Sequence, residues 1–510
     1  MSRPTLLTPY GYSSSTCGYC SPSGHRSEGR TSLKYGLEAP QMSAKFYQEL
    51  IDRGWRRSGD YVYHPDMART CCPQYTIRLD AKAFKPSKKH RQVMNRWSRF
   101  VSAGTKPGET EGCMASSDAG AGSGAGAGAS TGDAIGRGQG QAKGKAKGKG
   151  TGKGKATCGE EFLGTLHAHE VGYGHGDEEV HRYETTLIPA KATKETFELY
   201  KRYQIAVHKD PPGKVTMRGF QRFLCDSPIT VRTPALCTSQ LTVHESTIEY
   251  DSDKDTSELP QKYGSYHLLY RVDGHLVGIS VIDVLPHCVS SVYFIWDPDW
   301  AWASLGKLSA LREVAMAREM AEAGAQGMGW LYMGYWIADC QKMRYKSEYS
   351  PSYLLDPGTN IFHPLSAELD KFLQLHKSGY HPFASFDAPT ADIDEQQAVS
   401  GQGEEIPIET DVEMDEYESI DGFPTPPPPG FDDPLAISED EIDSLLVLMQ
   451  SGGLMRRAPR LIKLEDLEFV NPEAIKGSIR ELVAAVGLER MARSTSDVNE
   501  LKDRGVLFFG

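Results

Sequence analysis

Residues 331–355 read LYMGYWIADCQKMRYKSEYSPSYLL, and the rest of the chain is organised around them. The first half alternates bulky and small side chains as a buried strand does. Leu331, Met333, Tyr335 and Ile337 fall on one face, and Tyr332, Gly334 and Trp336 on the other. A basic, tyrosine-rich loop follows, in which Lys342, Arg344 and Lys346 alternate with Met343 and Tyr345 until Pro351 breaks the run. Strand ends that open into charged loops are where mixed-sheet enzymes place their sites.

Working outward, SYHLLYRV and HLVGISVIDVL flank Asp273-Gly274, a pair that accepts the positive φ angles of a tight hairpin. A third strand, CVSSVYFIW, runs into Asp297-Pro298-Asp299. Leu305, Leu308, Leu311 and Ala315 then recur at helical spacing until Gly324. Three antiparallel strands, a helix and a returning strand make an acyltransferase-like order within an α+β fold, with a mixed, largely antiparallel sheet. Upstream, KATKETFELYKRYQIAVHKD predicts an amphipathic helix.

The first hundred residues predict a helix in SAKFYQELIDRGWRRSG, ending at Gly54, then strands at 61–63 and 75–79. Cys17 and Cys20 form a CxxC, and Cys71-Cys72 are adjacent. Four thiolates complete a tetrahedral shell for a soft metal, but on spacing alone structural thiols are an equal reading. Lys82, Lys85, Lys88, Lys89, His90 and Arg91 surround Phe84, which suits either RNA or a solvated face. His167, His169, His175 and His181 lack regular ligand spacing and are not read as a metal site.

The net charge of −12 conceals an asymmetry. Residues 378–455 contain 19 Asp and Glu and no Lys or Arg, and removing them leaves +7 on the other 432 residues. A basic body suits a polyanionic partner. We expect an N-terminal cysteine-rich domain (1–100), a disordered Gly/Lys-rich insert (101–158) and a catalytic domain (159–385). An acidic, proline-rich disordered segment (386–450) follows, then a C-terminal helical segment packing on the catalytic domain (451–510). Within the acidic segment, 442–449 reads as a short amphipathic helix for a partner. No run of 18 apolar residues and no leader pattern occurs, so we expect no membrane role and a cytoplasmic or nuclear location.

The phrases YMGYWIADCQKMRYKSEYSPSYLL, SSVYFIWDPDWAWASLGKLSALREVAMARE and CCPQYTIR resemble, in the same order, the arginyl-tRNA protein transferases. That resemblance implies transfer of arginine from Arg-tRNA to the N-terminal α-amine of proteins beginning with Asp, Glu or oxidised Cys. It places the chain upstream of ubiquitin-ligase-dependent degradation, in the N-degron pathway. It also implies a GNAT-type domain and an iron-sulfur cluster or zinc at Cys17, Cys20, Cys71 and Cys72.

In such a fold the donor sits where two central strands splay, beside a helix N-terminus, here Ser304 to Lys307. Ser304 and Gly306 are the candidate backbone donors to the terminal tRNA phosphate. Asp297 and Asp299 are candidates for the arginine guanidinium, or alternatively simple turn residues. Lys342, Arg344 and Lys346 are candidates for the acidic acceptor or for tRNA phosphates, with Tyr345 shaping the catalytic pocket. The loop expected for coenzyme A is incomplete, which weakens an acetyltransferase reading. A metal-containing RNA-binding module without activity is the remaining alternative.

Overall fold

The computed structural model describes residues 4–20, 25–106, 158–173, 176, 178–229, 247–385, 418–419, 422–449, 460–469, 471–493, 501 and 503–509. Most of the Gly/Lys-rich insert, His175 and residues 386–417 of the acidic segment lie outside them.

Two eight-stranded sheets organise the described residues. The first contains β1 (Thr5–Ser15), β2 (Ser32–Gln41), β3 (Arg56–Ser58) and β4 (Tyr61–Pro65). Four strands from the far end of the chain complete it: β13 (Glu418–Ser419), β14 (Leu446–Met449), β15 (Arg460–Lys463) and β16 (Gly505–Phe508). Its order is β15-β14-β16-β1-β2-β4-β3, with β13 beside β1. The second contains β5 (Tyr75–Asp80), β6 (Tyr183–Pro189), β7 (Gly264–Val272), β8 (His275–Val284), β9 (Cys288–Trp296), β10 (Trp330–Trp336), β11 (Ser352–Asp356) and β12 (Ile361–Pro364). Its order is β12-β11-β5-β10-β9-β8-β7-β6.

The expected hairpin forms between β7 and β8, with Asp273 at φ 51° and Gly274 at φ 81°. The expected helices form as α1 (Ala44–Ile51), α4 (Lys194–Tyr203) and α6 (Leu305–Glu322). Helix α4 continues as a wider turn through His208. Helix α6 buries Leu308, Leu311, Val314 and Ala315 against the second sheet. Truncating Leu311 to Ala there would cost roughly 2–5 kcal/mol. On the opposite face of the sheet, α4 and the short α5 (Met217–Phe220) bury Tyr203 and Phe220 against Ile279, Val281 and Ile295.

The sheets do not follow the sequence boundary expected at residue 100. Strand β5 sits in the second sheet between β10 and β11. The following helix α2 (Lys88–Ala103) contacts α6, and Arg318 of α6 donates to the backbone carbonyls of Ala81 and Phe84. Phe84 and His90, read as part of a basic RNA face, are instead buried, with His90 stacked on Tyr349 at 4.5 Å. Apolar partners on α3 (Cys158–Leu166) and near Tyr349 won over solvent, as at Phe162 against Phe84.

The acidic segment also departs from expectation, because residues 422–449 are ordered. Phe431 stacks on Trp55 at 5.9 Å, and Ile442, Leu445 and Val447 are buried. The stretch read as a partner helix divides into α9 (Glu439–Asp443) and β14, and its partner is the chain's own first sheet. The C-terminal helix α10 (Pro472–Val486) likewise packs on that first sheet beside β1 rather than on the second. Spaced apolar residues in an acidic stretch bury enough surface here to offset chain entropy.

Candidate active site beside a four-cysteine cluster

Strands β9 and β10 are the parallel neighbours at the centre of the second sheet. They pair only from Trp330 opposite Cys288 to Tyr332 opposite Ser290. On its other edge β10 shifts register against β5 between Tyr332 and Tyr335, where Gly334 takes φ 65°, a conformation favouring glycine. Beyond that point β9 and β10 part, and a cavity of about 80 Å³ lies between Ser290–Phe294 on one side and Met333–Tyr335 on the other. Gly306, Ser309, Ala310 and Glu313 of α6 form a further wall.

The cavity carries charges of both signs. Among the described residues, buried Arg56 on β3 donates only to backbone carbonyls, those of Trp55 at 2.8 Å and Gly334 at 3.1 Å. Its Nε has no hydrogen-bond partner among them, and its guanidinium lies 5.3 Å from the Tyr335 ring centroid. Lys346 is 2 % exposed, and its Nζ donates to the Tyr335 carbonyl at 2.6 Å. Burial, with the nearby Arg56 charge, pulls its pKa down to about 7. No carboxylate among the described residues pairs with either cation. Arg57 differs: Asp283 holds it at 2.8 and 2.5 Å and Ser265 at 3.0 Å, which pins β3 to the second sheet.

Glu313 is 2 % exposed, and its Oε1 accepts the hydroxyls of Ser280 at 2.8 Å and Ser309 at 3.2 Å. Burial pushes its carboxyl up to about 7. Tyr345 lines the same cavity, and burial beside Glu313 raises its phenol well above the ordinary range, so it stays protonated.

Of the candidates from the sequence, Lys346, Tyr345 and Gly306 line this cavity. Lys342 and Arg344 do not, because the loop winds into α7 (Gln341–Arg344) and a tight turn rather than alternating as an extended chain. Arg344 instead pairs with Asp370 on α8 (Ala367–Leu375) at 3.0 Å. Asp297 caps the turn after β9 and pairs with Arg202, while the Asp299 side chain is 86 % exposed. Neither lines the cavity, and both follow the turn reading. Ser304, at φ 55°, hydrogen-bonds Arg96 and lies outside the cavity walls. Arg56 and Glu313 also line the cavity, and neither stands out in the sequence. The available signal was a pair of arginines beside an apolar strand, and a glutamate inside an otherwise buried helix.

The four cysteines come together. One ligand atom from each of Cys17, Cys20, Cys71 and Cys72 lies within 4.8 Å of all the others, and the Cys20 and Cys71 sulfurs are 3.9 Å apart. Two sulfurs ~2.3 Å from one tetrahedral ion stand about 3.8 Å apart, so the donor set fits a metal. Cys17 and Cys72 pack with Tyr63, Tyr335 and Met343, which themselves line the cavity. His167, His169 and His181 each pair with a carboxylate, and no histidine joins a metal-ligand group among the described residues.

Two family models match the chain. "Arginine-tRNA-protein transferase, N terminus" covers residues 15–92 and its C-terminal counterpart covers 195–356. Arginyl-tRNA--protein transferase 1 of Arabidopsis thaliana is 30 % identical over 479 residues, covering 70 % of this chain and 72 % of the relative. The chain belongs to the arginyl-tRNA–protein transferase family. The Drosophila melanogaster member is 29 % identical over 440 residues, covering 73 % of this chain and 85 % of its own. A more distant likeness, 34 % over 97 residues, links this transferase-family chain to the aspartate/glutamate leucyltransferase of Campylobacter jejuni, over 19 % of this chain and 38 % of that one. The two family models meet in space at the cavity, since β3 and Arg56 belong to the first and β9, β10, α6 and Lys346 to the second. No helix among the described residues is long and apolar enough to cross a membrane.

Proposed function

We infer that this enzyme transfers arginine from arginyl-tRNA to the N-terminal α-amine of proteins that begin with an acidic residue, on a GNAT-type domain formed by the second sheet. The observation that carries the reading is the pair of buried cations, Arg56 and Lys346, facing the gap between β9 and β10 without a carboxylate partner among the described residues. Buried cations cost several kcal/mol unless a counter-charge meets them. The carboxylate or sulfinate of an acceptor's first side chain would supply it through charge-assisted hydrogen bonds.

The reaction asks little covalent chemistry of the protein. The aminoacyl ester is already activated, so a neutral amine held against its carbonyl carbon reacts chiefly through orientation. The amine nitrogen bonds to that carbon, the bond to the ribose oxygen breaks, and that oxygen takes a proton. That proton is the one the amine gives up as it becomes the amide nitrogen, so the step balances. Tyr345, kept protonated by burial, can donate to the carbonyl oxygen as charge develops on it.

Cys17, Cys20, Cys71 and Cys72 would hold the metal, an iron-sulfur cluster or zinc, and its role here is to brace the wall carrying Tyr63 and Tyr335. Metal analysis with a visible absorption spectrum of the purified full chain distinguishes the two, and Cys17→Ser should lose the metal. Products of the transfer would enter ubiquitin-dependent degradation.

The test is transfer of labelled arginine from pre-charged tRNA to two peptides differing only in N-terminal Asp or Ala, with RNase-treated tRNA as control. Labelling of the Asp peptide alone is expected. Acetyl transfer from coenzyme A that resists RNase, or tRNA binding with no peptide labelled, would replace this reading with the acetyltransferase or RNA-binding one.

A further inference from the structure

We propose that Glu313 receives the guanidinium of the arginine being transferred, and so selects a cationic acyl group over a neutral one. The proposal rests on the transferase reading above and adds to it the residue that reads the donor side chain.

A guanidinium brought into a closed cleft needs a carboxylate, since its desolvation is otherwise uncompensated. The two carboxylates that the sequence suggests for this, Asp297 and Asp299, lie outside the cavity, and Asp297 is occupied by Arg202. Among the described residues that line the cavity, Glu313 alone carries a carboxylate. It is built into place, with Oε1 held by the hydroxyls of Ser280 and Ser309, which also hydrogen-bond each other at 2.8 Å. No basic side chain among the described residues forms an ion pair with it. Its helical neighbour Arg312 belongs to a separate cluster with Glu170 and Glu319.

The wall opposite supplies the complement. Arg56 and Lys346 converge on Gly334: Arg56 donates to the Gly334 carbonyl, and a Cβ built on Gly334 would stand 3.9 Å from the Lys346 Nζ. The cavity is therefore cationic at β10 and acidic at α6. The two substrates carry one group of each sign, a guanidinium on the donor and an acid on the acceptor. Seating each against its opposite points the ester and the amine toward the middle of one cleft, where they must meet. A neutral acyl side chain would leave Glu313 desolvated and unpaired.

Citrulline tests this directly, because it keeps the length and planarity of arginine while losing the charge and exchanging one NH2 donor for a carbonyl oxygen. The same tRNA is loaded with arginine or citrulline, and kcat/KM for transfer to the Asp peptide is measured with wild-type enzyme and Glu313→Gln. The wild type should favour arginine by about 100-fold, the usual worth of a buried hydrogen bond to a charged group. Glu313→Gln should bring the two donors within a few-fold, mostly by loss of arginine transfer. Glu313→Asp, which keeps the charge, should retain the preference at a lower rate, and it serves if the Gln variant does not fold. An equal fall for both donors in Glu313→Gln would assign the carboxyl to proton transfer or to folding and overturn the proposal alone. The same holds for a wild type that uses both donors equally. No transfer by wild type from either donor would overturn the functional reading and the proposal together.

Discussion

Arg312 and Glu313 are neighbours on one helix and both are buried, yet they sit in opposite electrical situations. Arg312 lies 3.2 Å from Glu319 and 3.7 Å from Glu170, donates to the Tyr173 hydroxyl, and His167 completes the group through Glu170 at 2.5 Å. Every charge there has a partner. Arg312 and hydrogen bonds donated by His167 lower the carboxyls of Glu170 and Glu319 against their burial, and those same bonds raise His167 despite its own burial. Among the described residues, Glu313 faces the cavity with hydroxyls alone, opposite two cations that are equally without counter-charge. A compensated cluster holds the fold together. An uncompensated one spends stability to stay ready for a ligand.

The largest effect should come from breaking the compensated side. Arg312→Met leaves Glu170 and Glu319 buried beside each other, and chemical denaturation should show a loss of about 3–5 kcal/mol. A loss below about 1 kcal/mol would mean the cluster does not hold the helix. Next, Lys346→Met should lower kcat/KM for an Asp-terminated peptide by about 100-fold, the scale of one buried charged hydrogen bond, while the fold holds. The same side chain gives that step a pH dependence. The Lys346 pKa is lowered to about 7, so its charge, and with it affinity for the acidic acceptor, should fall as pH rises through that value. Acceptor KM measured from pH 6 to 8.5 checks this, and a flat profile would remove Lys346 from the acceptor site.

Stability sharpens the comparison further. The Glu313 carboxyl is raised, so the folded chain holds a proton that the unfolded chain has released between roughly pH 4.5 and 7. Wild-type stability from this group is full below the unfolded value and lost as pH rises through 7. Glu313→Gln should therefore be more stable than wild type by about 3 kcal/mol at pH 8 and about equal at pH 4. For Lys346 the sign reverses: its lowered value makes the folded chain give up a proton that the unfolded chain keeps, so stability is regained between about 7 and 10.5. The smallest effect belongs to Arg344→Ala. With Arg344 on Asp370 at a half-exposed position, transfer should change less than about 2-fold and stability by about 0.5 kcal/mol.

Much of this molecule was legible along the chain, because the physics involved is local. Period-two and period-3.6 patterns placed β7 to β10 and α6, and Asp273-Gly274 placed the turn. The spacing of Cys17, Cys20, Cys71 and Cys72 raised a metal site as one reading, and the folded chain brings the four sulfurs together. The exchange of a basic RNA face for a buried Phe84 and His90 was not legible, since both readings need the same residues and differ only in what lies opposite. The order within residues 422–449 depends likewise on Tyr35 and Trp55, several hundred positions away.

By itself the sequence determined the elements, the family phrases and the presence of a basic loop after β10. Only the tertiary structure decided which charges face the cavity. Arg56 reaches Gly334 across 278 residues, and the turn of α7 sends Lys346 inward while Arg344 finds Asp370. A side chain's charge is written in its residue type. Whether that charge is neutralised depends on neighbours that no local pattern encodes, and that difference separates a structural ion pair from a site.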